Sequence, residues 1–338
     1  MVVINDASIR SLVDLSMNVS KLDLEKAFSR TEPYRVVTPL VPVPFLNERW
    51  NAEVWVKHEA FQPIGAFKIR GASNFITQLS REELDKGVVT HSSGNHAQAV
   101  AFMAKQLGSC AYIIMPEDSN PLKIKNARKW GAEVQLCTPG IESRLRSAEK
   151  VMHEKGAIMV PPFDHPWIVA GQATAAMETF MLRSDVDYLV TPLGGGGLLA
   201  GSALAAKYFS PETKVIGAEP DQAKDGYIGF KKGERERTVQ ANTVADGLRT
   251  PVGEVPFNII KEEVADIWLA QEEKILPWMF KFWQETHLII EPSCAVPFAA
   301  MDANRDQLKG KRIVVVITGA NVDLGQLTSA GDVDATLG

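Results

Sequence analysis

Short apolar, β-branched runs recur along the chain and alternate with stretches whose apolar residues return every three or four positions. The runs are AEVWVKHE (52–59), GVVTHSS (87–93), AYIIMP (111–116), AEVQLC (132–137), AIMVPP (157–162), YLVTPL (188–193), KVIGAEP (214–220) and RIVVVITG (312–319). A strand buried on both faces reads as a near-continuous apolar run, and alternation with helices marks a parallel sheet covered on both sides. The pattern therefore predicts an α/β protein. Several runs end in Gly, Ser or Thr just before a helical pattern, and open parallel sheets bind ligands beyond the carboxyl ends of their strands. Residues 81–159 hold a set of strand and helix units complete in itself, which predicts a small inserted α/β domain within a larger one made of 1–80 and 160–338. The stretch DQAKDGYIGFKKGERERTVQANTVADG (221–247) has mixed charge and weak periodicity, and reads as a surface excursion of the larger domain. No internal repeat or low-complexity linker interrupts the alternation.

Composition narrows the function. With 338 residues, 45% of them hydrophobic, the chain can bury one large core or two ordinary ones. A net charge of -5 leaves no basic stripe for nucleic acid. Cys110, Cys137 and Cys294 form no CxxC pair and sit in apolar stretches, as expected of a chain in a reducing cytoplasm. The N-terminal residues lack the form of a secretion signal, and no apolar run reaches the roughly 18 residues of a membrane helix. Small-molecule chemistry is what remains. The last motif lies close to Gly338, so no appended regulatory domain is expected, and a catabolic role fits better than feedback control.

Four stretches carry candidate chemistry. HSSGNHAQAVA follows a strand and opens a helix whose first turn, from Ser92 through Asn95, offers free N–H groups and hydroxyls to an anion. TPLGGGGLLAG sets Gly194, Gly195, Gly196 and Gly197 between strand and helix, where missing side chains let backbone amides surround a phosphate. GQATAAMETF reads as an ordinary helix start. VVVITGANVD ends a strand on Thr318, whose hydroxyl can meet a ring nitrogen or simply cap a turn. Set beside FQPIGAFKIRGASN, these suggest a use for Lys68. An amine that condenses with an aldehyde, a glycine loop for a phosphate and a hydroxyl for a pyridine nitrogen match the three handles of pyridoxal 5'-phosphate (PLP).

With those residues in place, the chain resembles the fold type II PLP enzymes (tryptophan synthase β-like), specifically the serine/threonine dehydratase and serine racemase family. The resemblance runs from TPLVPVPFLNE through KHEAFQPIGAFKIRGA, HSSGNHAQAVA, AGQAT, GGGGLLAG and IIEPSCA to ITGANVD. It implies two open α/β domains with mostly parallel sheets, the cofactor between them, and a homodimer. It makes Lys68 the Schiff-base lysine, Phe67 a neighbour of the cofactor ring, Asn95 the partner of the ring oxygen, Gly194 to Gly197 the phosphate cradle and Thr318 the partner of the ring nitrogen. Ser92, Ser93, Gly94 and His96 form the turn that receives the substrate carboxylate, and Ser93 faces the substrate from the side opposite Lys68. Ala66 stands where a serine or threonine usually precedes the FK pair, Thr318 replaces the commoner serine, and EPSCA replaces a more glycine-rich form.

The expected reaction is β-elimination from a 3-hydroxy amino acid such as serine, threonine or 3-hydroxyaspartate, giving a 2-keto acid and ammonia. The alternative is an amino-acid racemase using Lys68 and Ser93 as its two bases. Arg144 aligns with an arginine near the active-site entrance in racemases, and either reads a second substrate carboxylate or lies on an exposed helix face. Phe163 and His165 of PPFDHP either close the pocket over the β-substituent or form a strand-end turn. Glu219 and Asp225, with the Ala223 carbonyl and waters, resemble a Mg2+ or Ca2+ site of serine racemases, since hard oxygens suit those ions.

Overall fold

The computed structural model describes residues 18–322 apart from 93, 120, 239 and 240. Ten strands form two sheets. They are β1 (Leu40–Pro42), β2 (Glu53–His58), β3 (Val88–Thr90), β4 (Ala111–Pro116), β5 (Glu133–Cys137), β6 (Ile158–Met159), β7 (Tyr188–Pro192), β8 (Lys214–Pro220), β9 (Asp266–Ala270) and β10 (Arg312–Ile317). One sheet has the order β1-β2-β10-β7-β8-β9 and the other β5-β4-β3-β6. Every described pairing is parallel except β1 with β2. This is the α/β, fold type II arrangement, with mostly parallel sheets.

The eight apolar runs became eight of these strands. The other two, β1 and β9, lacked the signal. β1 is three residues long, lies at a sheet edge and ends in Pro42, which edge strands tolerate and central ones do not. β9 is DIWLA, a short run at the opposite edge that opens on a charged residue. The stretch 221–247 also differs from expectation. It contains the helix Asp225–Lys232, and Asp225, Thr243 and Ala245 are buried, so it contributes to the interior rather than only to the surface.

The faces of the larger sheet bury different helices. Val54, Val56, Ile313 and Val315 pack under the helices Glu272–Thr286 and Pro292–Ala303. Leu189, Val314 and Val316 pack under Pro166–Leu182 and Gly197–Phe209. Alternate residues of β10 thus serve opposite cores, as the period of two requires. The GQAT stretch is not a helix start but the middle of Pro166–Leu182. A Cβ added at Gly171 would lie 2.5 Å from the Arg70 carbonyl and 2.7 Å from Gly71 Cα. Only glycine there lets this helix cross Lys68–Ile76 so closely.

Where those helices meet, five charged side chains are shut away from water. Arg70 reaches Glu59 at 2.6 and 2.8 Å and Glu178 at 2.9 and 2.7 Å. Lys57 bonds Glu178 at 2.6 Å, and Arg35 also pairs with Glu178. Thr38 donates to Glu59 at 2.6 Å. None of the five charged side chains is more than 2% exposed. Burial alone would raise the Glu59 carboxyl, but the charge and hydrogen bonds of Arg70 outweigh it and hold Glu59 below the ordinary range. Glu178→Gln keeps the shape and leaves three buried cations facing one carboxylate. We predict a loss of about 3 to 5 kcal/mol, read as a lower urea midpoint at unchanged slope. A loss below about 1 kcal/mol would place the cluster among weak, hydrated pairs.

Candidate active site

The loop after β2 is stitched to the loop after β10. Phe67 N donates to Thr318 O at 2.9 Å, Ala320 N donates to Gly65 O at 3.0 Å, and Ala66 and Gly319 form an antiparallel bridge. Gly65, at φ +71, supplies the left-handed turn that allows this. The stitch brings Lys68, first residue of its helix, near Thr318 at the sheet's carboxyl edge. The Lys68 amine donates to Pro162 O at 2.8 Å and lies 5.2 Å from the centre of the Phe67 ring. Burial pushes it down to about 8, with Glu291 pulling in the opposite sense. A buried amine of that kind is partly neutral near pH 8, as a nucleophile or base must be.

The smaller sheet supplies the facing wall. The helix Asn95–Gln106 starts after Gly94, which gives it no side-chain cap, so its first-turn amides are not used up internally. Ser92 Oγ accepts from Gly94 N at 3.3 Å, and a Cβ at Gly94 would meet nothing within 4 Å, so the turn borders open space. Asn95 donates to both oxygens of Glu291 at 3.1 Å and accepts from Asn321 at 2.8 Å. The His96 side chain turns away from this turn. It is 2% exposed, sits 3.0 Å from Val160 O, and is pushed down to about 3, first by burial and then by the Lys68 charge. Ser93 lies outside the described residues.

The glycine run is closely packed against its neighbours. Gly196 has φ +88 and caps the helix Gly197–Phe209 without a side chain. A Cβ at Gly195 would stand 2.3 Å from the Phe163 ring, so any larger residue displaces that ring. Phe163 therefore borders the glycine loop. His165 Nδ1 accepts from Trp167 N at 3.0 Å and caps Pro166–Leu182, while the ring packs against Phe75 and Trp167. Thr318 is buried, its hydroxyl 3.1 Å from Cys294 Sγ. Uncapped amides at two helix starts, a glycine cradle, a buried amine and a hydroxyl at the end of β10 fit the handles of PLP.

Glu291 and Asn321 were not among the expected site residues. Glu291 had one sequence signal, a carboxylate between apolar Ile290 and a helix-starting proline, and the structure leaves it 7% exposed. Asn321 looked like one of several polar residues in a loop.

Fold and site together describe an enzyme that works with PLP at the carboxyl edge of a parallel sheet. The model of the family described as pyridoxal-phosphate dependent enzyme matches residues 32–319, and the chain belongs to that family. It is 40% identical over 303 residues to a serine racemase of Schizosaccharomyces pombe, covering 89% of this chain and 94% of the relative. It is 39% identical over 303 residues to an L-threo-3-hydroxyaspartate ammonia-lyase of Saccharomyces cerevisiae, covering 89% and 93%. The crystal structure of serine racemase from Dictyostelium discoideum superposes with a TM-score of 0.86 at 38% identity, covering 90% of this chain and 99% of that one.

The Lys68 environment generates a pH prediction. Only the neutral amine attacks an aldehyde, so PLP uptake by PLP-free protein should accelerate as pH rises and level off through a midpoint at about 8. Stopped-flow absorbance checks this. A midpoint in the ordinary lysine range, near about 10.4, would mean that burial does not tune Lys68.

Proposed function

We propose that this protein is a PLP-dependent ammonia-lyase that converts a 3-hydroxy amino acid to a 2-keto acid and ammonia, with 3-hydroxyaspartate the favoured substrate. The observation that carries the choice is at Arg144. Its Nε is screened from water and has no hydrogen-bond partner among the described residues, although a guanidinium so placed ordinarily pairs. It lies close enough to His91, at the exit of β3 beside Ser92, to act with burial in holding that imidazole below its ordinary range. A second substrate carboxylate would satisfy Arg144, and the similarity to the yeast hydroxyaspartate ammonia-lyase supports the same reading.

In this reading PLP supplies an aldehyde that captures the substrate amine and a ring that draws electrons from the Cα–H bond. The protein does the rest. Free amides at the Asn95 helix start and Ser92 hold the α-carboxylate. Lys68, partly neutral because it is buried, accepts the α-proton. The β-hydroxyl leaves with a proton as water, and water re-enters to release ammonia and the keto acid, so atoms balance. Asn95, fixed between Glu291 and Asn321, would hold the ring oxygen, Phe67 would lie beside the ring, and the Gly194–Gly197 loop would hold the phosphate. Thr318 carries no charge, so a ring nitrogen held by its hydroxyl would stay largely neutral, and PLP there would be a weaker electron sink than one facing a carboxylate. The larger domain, 1–80 and 160–338, and the smaller, 81–159, would close around this site in a cytoplasmic homodimer. The serine racemase similarity favours a second reading, racemisation, with Ser93 as the opposing base.

The divalent cation is part of the proposal. Glu219 accepts from Gly226 and Tyr227 amides at 3.0 and 2.7 Å, and Asp225 accepts from Val252 N at 2.9 Å. Burial, and then the charge of Asp225, raises Glu219 well above the carboxylate range, while burial raises Asp225 to about 6. Two buried carboxylates pushed upward together fit a site that a cation would relieve. Among the described residues no three His, Cys, Asp or Glu side chains gather, so Mg2+ or Ca2+ would also need the Ala223 carbonyl and waters.

Two outcomes test these points. Arg144→Ala should raise KM for 3-hydroxyaspartate about ten- to a hundredfold more than for serine, with keto acid and enantiomers assayed together. Equal changes for both substrates would remove the dicarboxylate preference. Because Mg2+ binds the ionised carboxylates, it should raise Tm at pH 8 and much less at pH 5, where Asp225 is protonated. No shift at either pH, with none on chelation, leaves Glu219 as a helix cap only.

A further inference from the structure

The Thr318 hydroxyl lies 3.1 Å from Cys294 Sγ. That sulfur is a hub. It accepts from the amides of Thr318 at 3.2 Å and Gly319 at 3.4 Å, and it lies 3.2 Å from the Gly319 carbonyl. Cys294 sits in the first turn of Pro292–Ala303 and is fully buried. The Gly319 carbonyl already accepts from Glu291 N at 3.1 Å, and Gly319 pairs with Ala66 beside Lys68. The sulfur thus grips the strand end that presents Thr318 to the site.

Burial, with the Glu291 charge next, pushes the thiol up to about 12, so Cys294 keeps its proton. A thiol has one proton to give. If it goes to Gly319 O, the Thr318 O–H points at sulfur and leaves only lone pairs for the ring nitrogen. If it goes to Thr318 Oγ1, the Thr318 proton is free to point into the site. The second arrangement suits an uncharged pyridine nitrogen, which only accepts.

We propose that Cys294 is a positioning residue that fixes the rotamer and donor direction of the Thr318 hydroxyl toward the ring nitrogen of PLP. The proposal rests on the PLP reading of the site and adds to it a residue that does not touch the cofactor. Its signature is coupling: Cys294 acts on cofactor binding through Thr318 and has no path of its own.

A double-mutant cycle on the full chain measures that coupling, with PLP affinity read by absorbance titration of PLP-free protein. Thr318→Ala and Cys294→Ala should each weaken PLP binding about three- to tenfold, the double variant should be no weaker than Thr318→Ala alone, and Cys294→Ser should stay within about twofold of the parent. Additive losses, or parental affinity in Cys294→Ala, overturn the proposal while leaving the PLP site intact. Should Cys294→Ala fail to fold, the Cys294→Val and Thr318→Val pair replaces it: a weakening by Cys294→Val that persists unchanged in the Thr318→Val background, or no weakening at all, overturns the proposal, and a weakening that disappears there supports it. Parental protein that takes up no PLP overturns the reading of the site itself, a result distinct from either.

Discussion

Arg70 is held by two carboxylates at once, and much of the site depends on that grip. It lies two residues beyond Lys68, on a helix with every residue from Ile69 to Ile76 buried. Glu59 ties it to the end of β2, and Glu178 ties it to the long helix Pro166–Leu182. Lys57 of β2 and Arg35, just after the helical turn Glu32–Tyr34, join the same carboxylate. An apolar core would hold these elements with comparable strength, since buried pairs gain little net free energy over hydrophobic packing. What the cluster adds is register. A slip of Lys68–Ile76 by one residue would leave charges unpaired in the interior, and the lysine is positioned by the same constraint.

A second constraint works at the sheet edge. The bridge between Ala66 and Gly319 makes the lysine loop and the Thr318 loop one unit, and Glu291 N joins it through Gly319 O. Glu291 then reaches across to Asn95, on the helix that follows β3 of the smaller sheet. The two sheets therefore meet through a short polar chain, Glu291 to Asn95 to Asn321, rather than through apolar packing alone.

Much of this was legible in the residues. Parallel strands betray themselves by apolar runs, and eight of ten did so here. The glycine loop stood out because four consecutive glycines are an odd choice for structure alone, whereas Lys68 and Thr318 gained meaning only beside it. The misses share a physical cause. β1 and β9 are short edge strands, where few neighbours impose a pattern. Glu178 and Arg70 sat inside apolar or helical stretches and looked like scaffold, because a buried ion pair leaves no periodic signature and its partners lie 108 positions apart. Glu291 was quoted in a motif and yet unread, since its meaning comes from a residue 196 positions away. His165 stood near the site in sequence and turned out to cap a helix.

The account turns on which lysine meets the cofactor. Lys57 is fully buried and committed to Glu178 and the Thr38 carbonyl, whereas Lys68 is half-buried and its amine is held by one backbone carbonyl. Borohydride reduction of PLP-loaded protein, followed by peptide mass mapping, distinguishes them. The pyridoxyl label should fall on the peptide carrying Lys68, with loss of the yellow colour. A label on Lys57 or on any other lysine, or bleaching with no label retained, would contradict it.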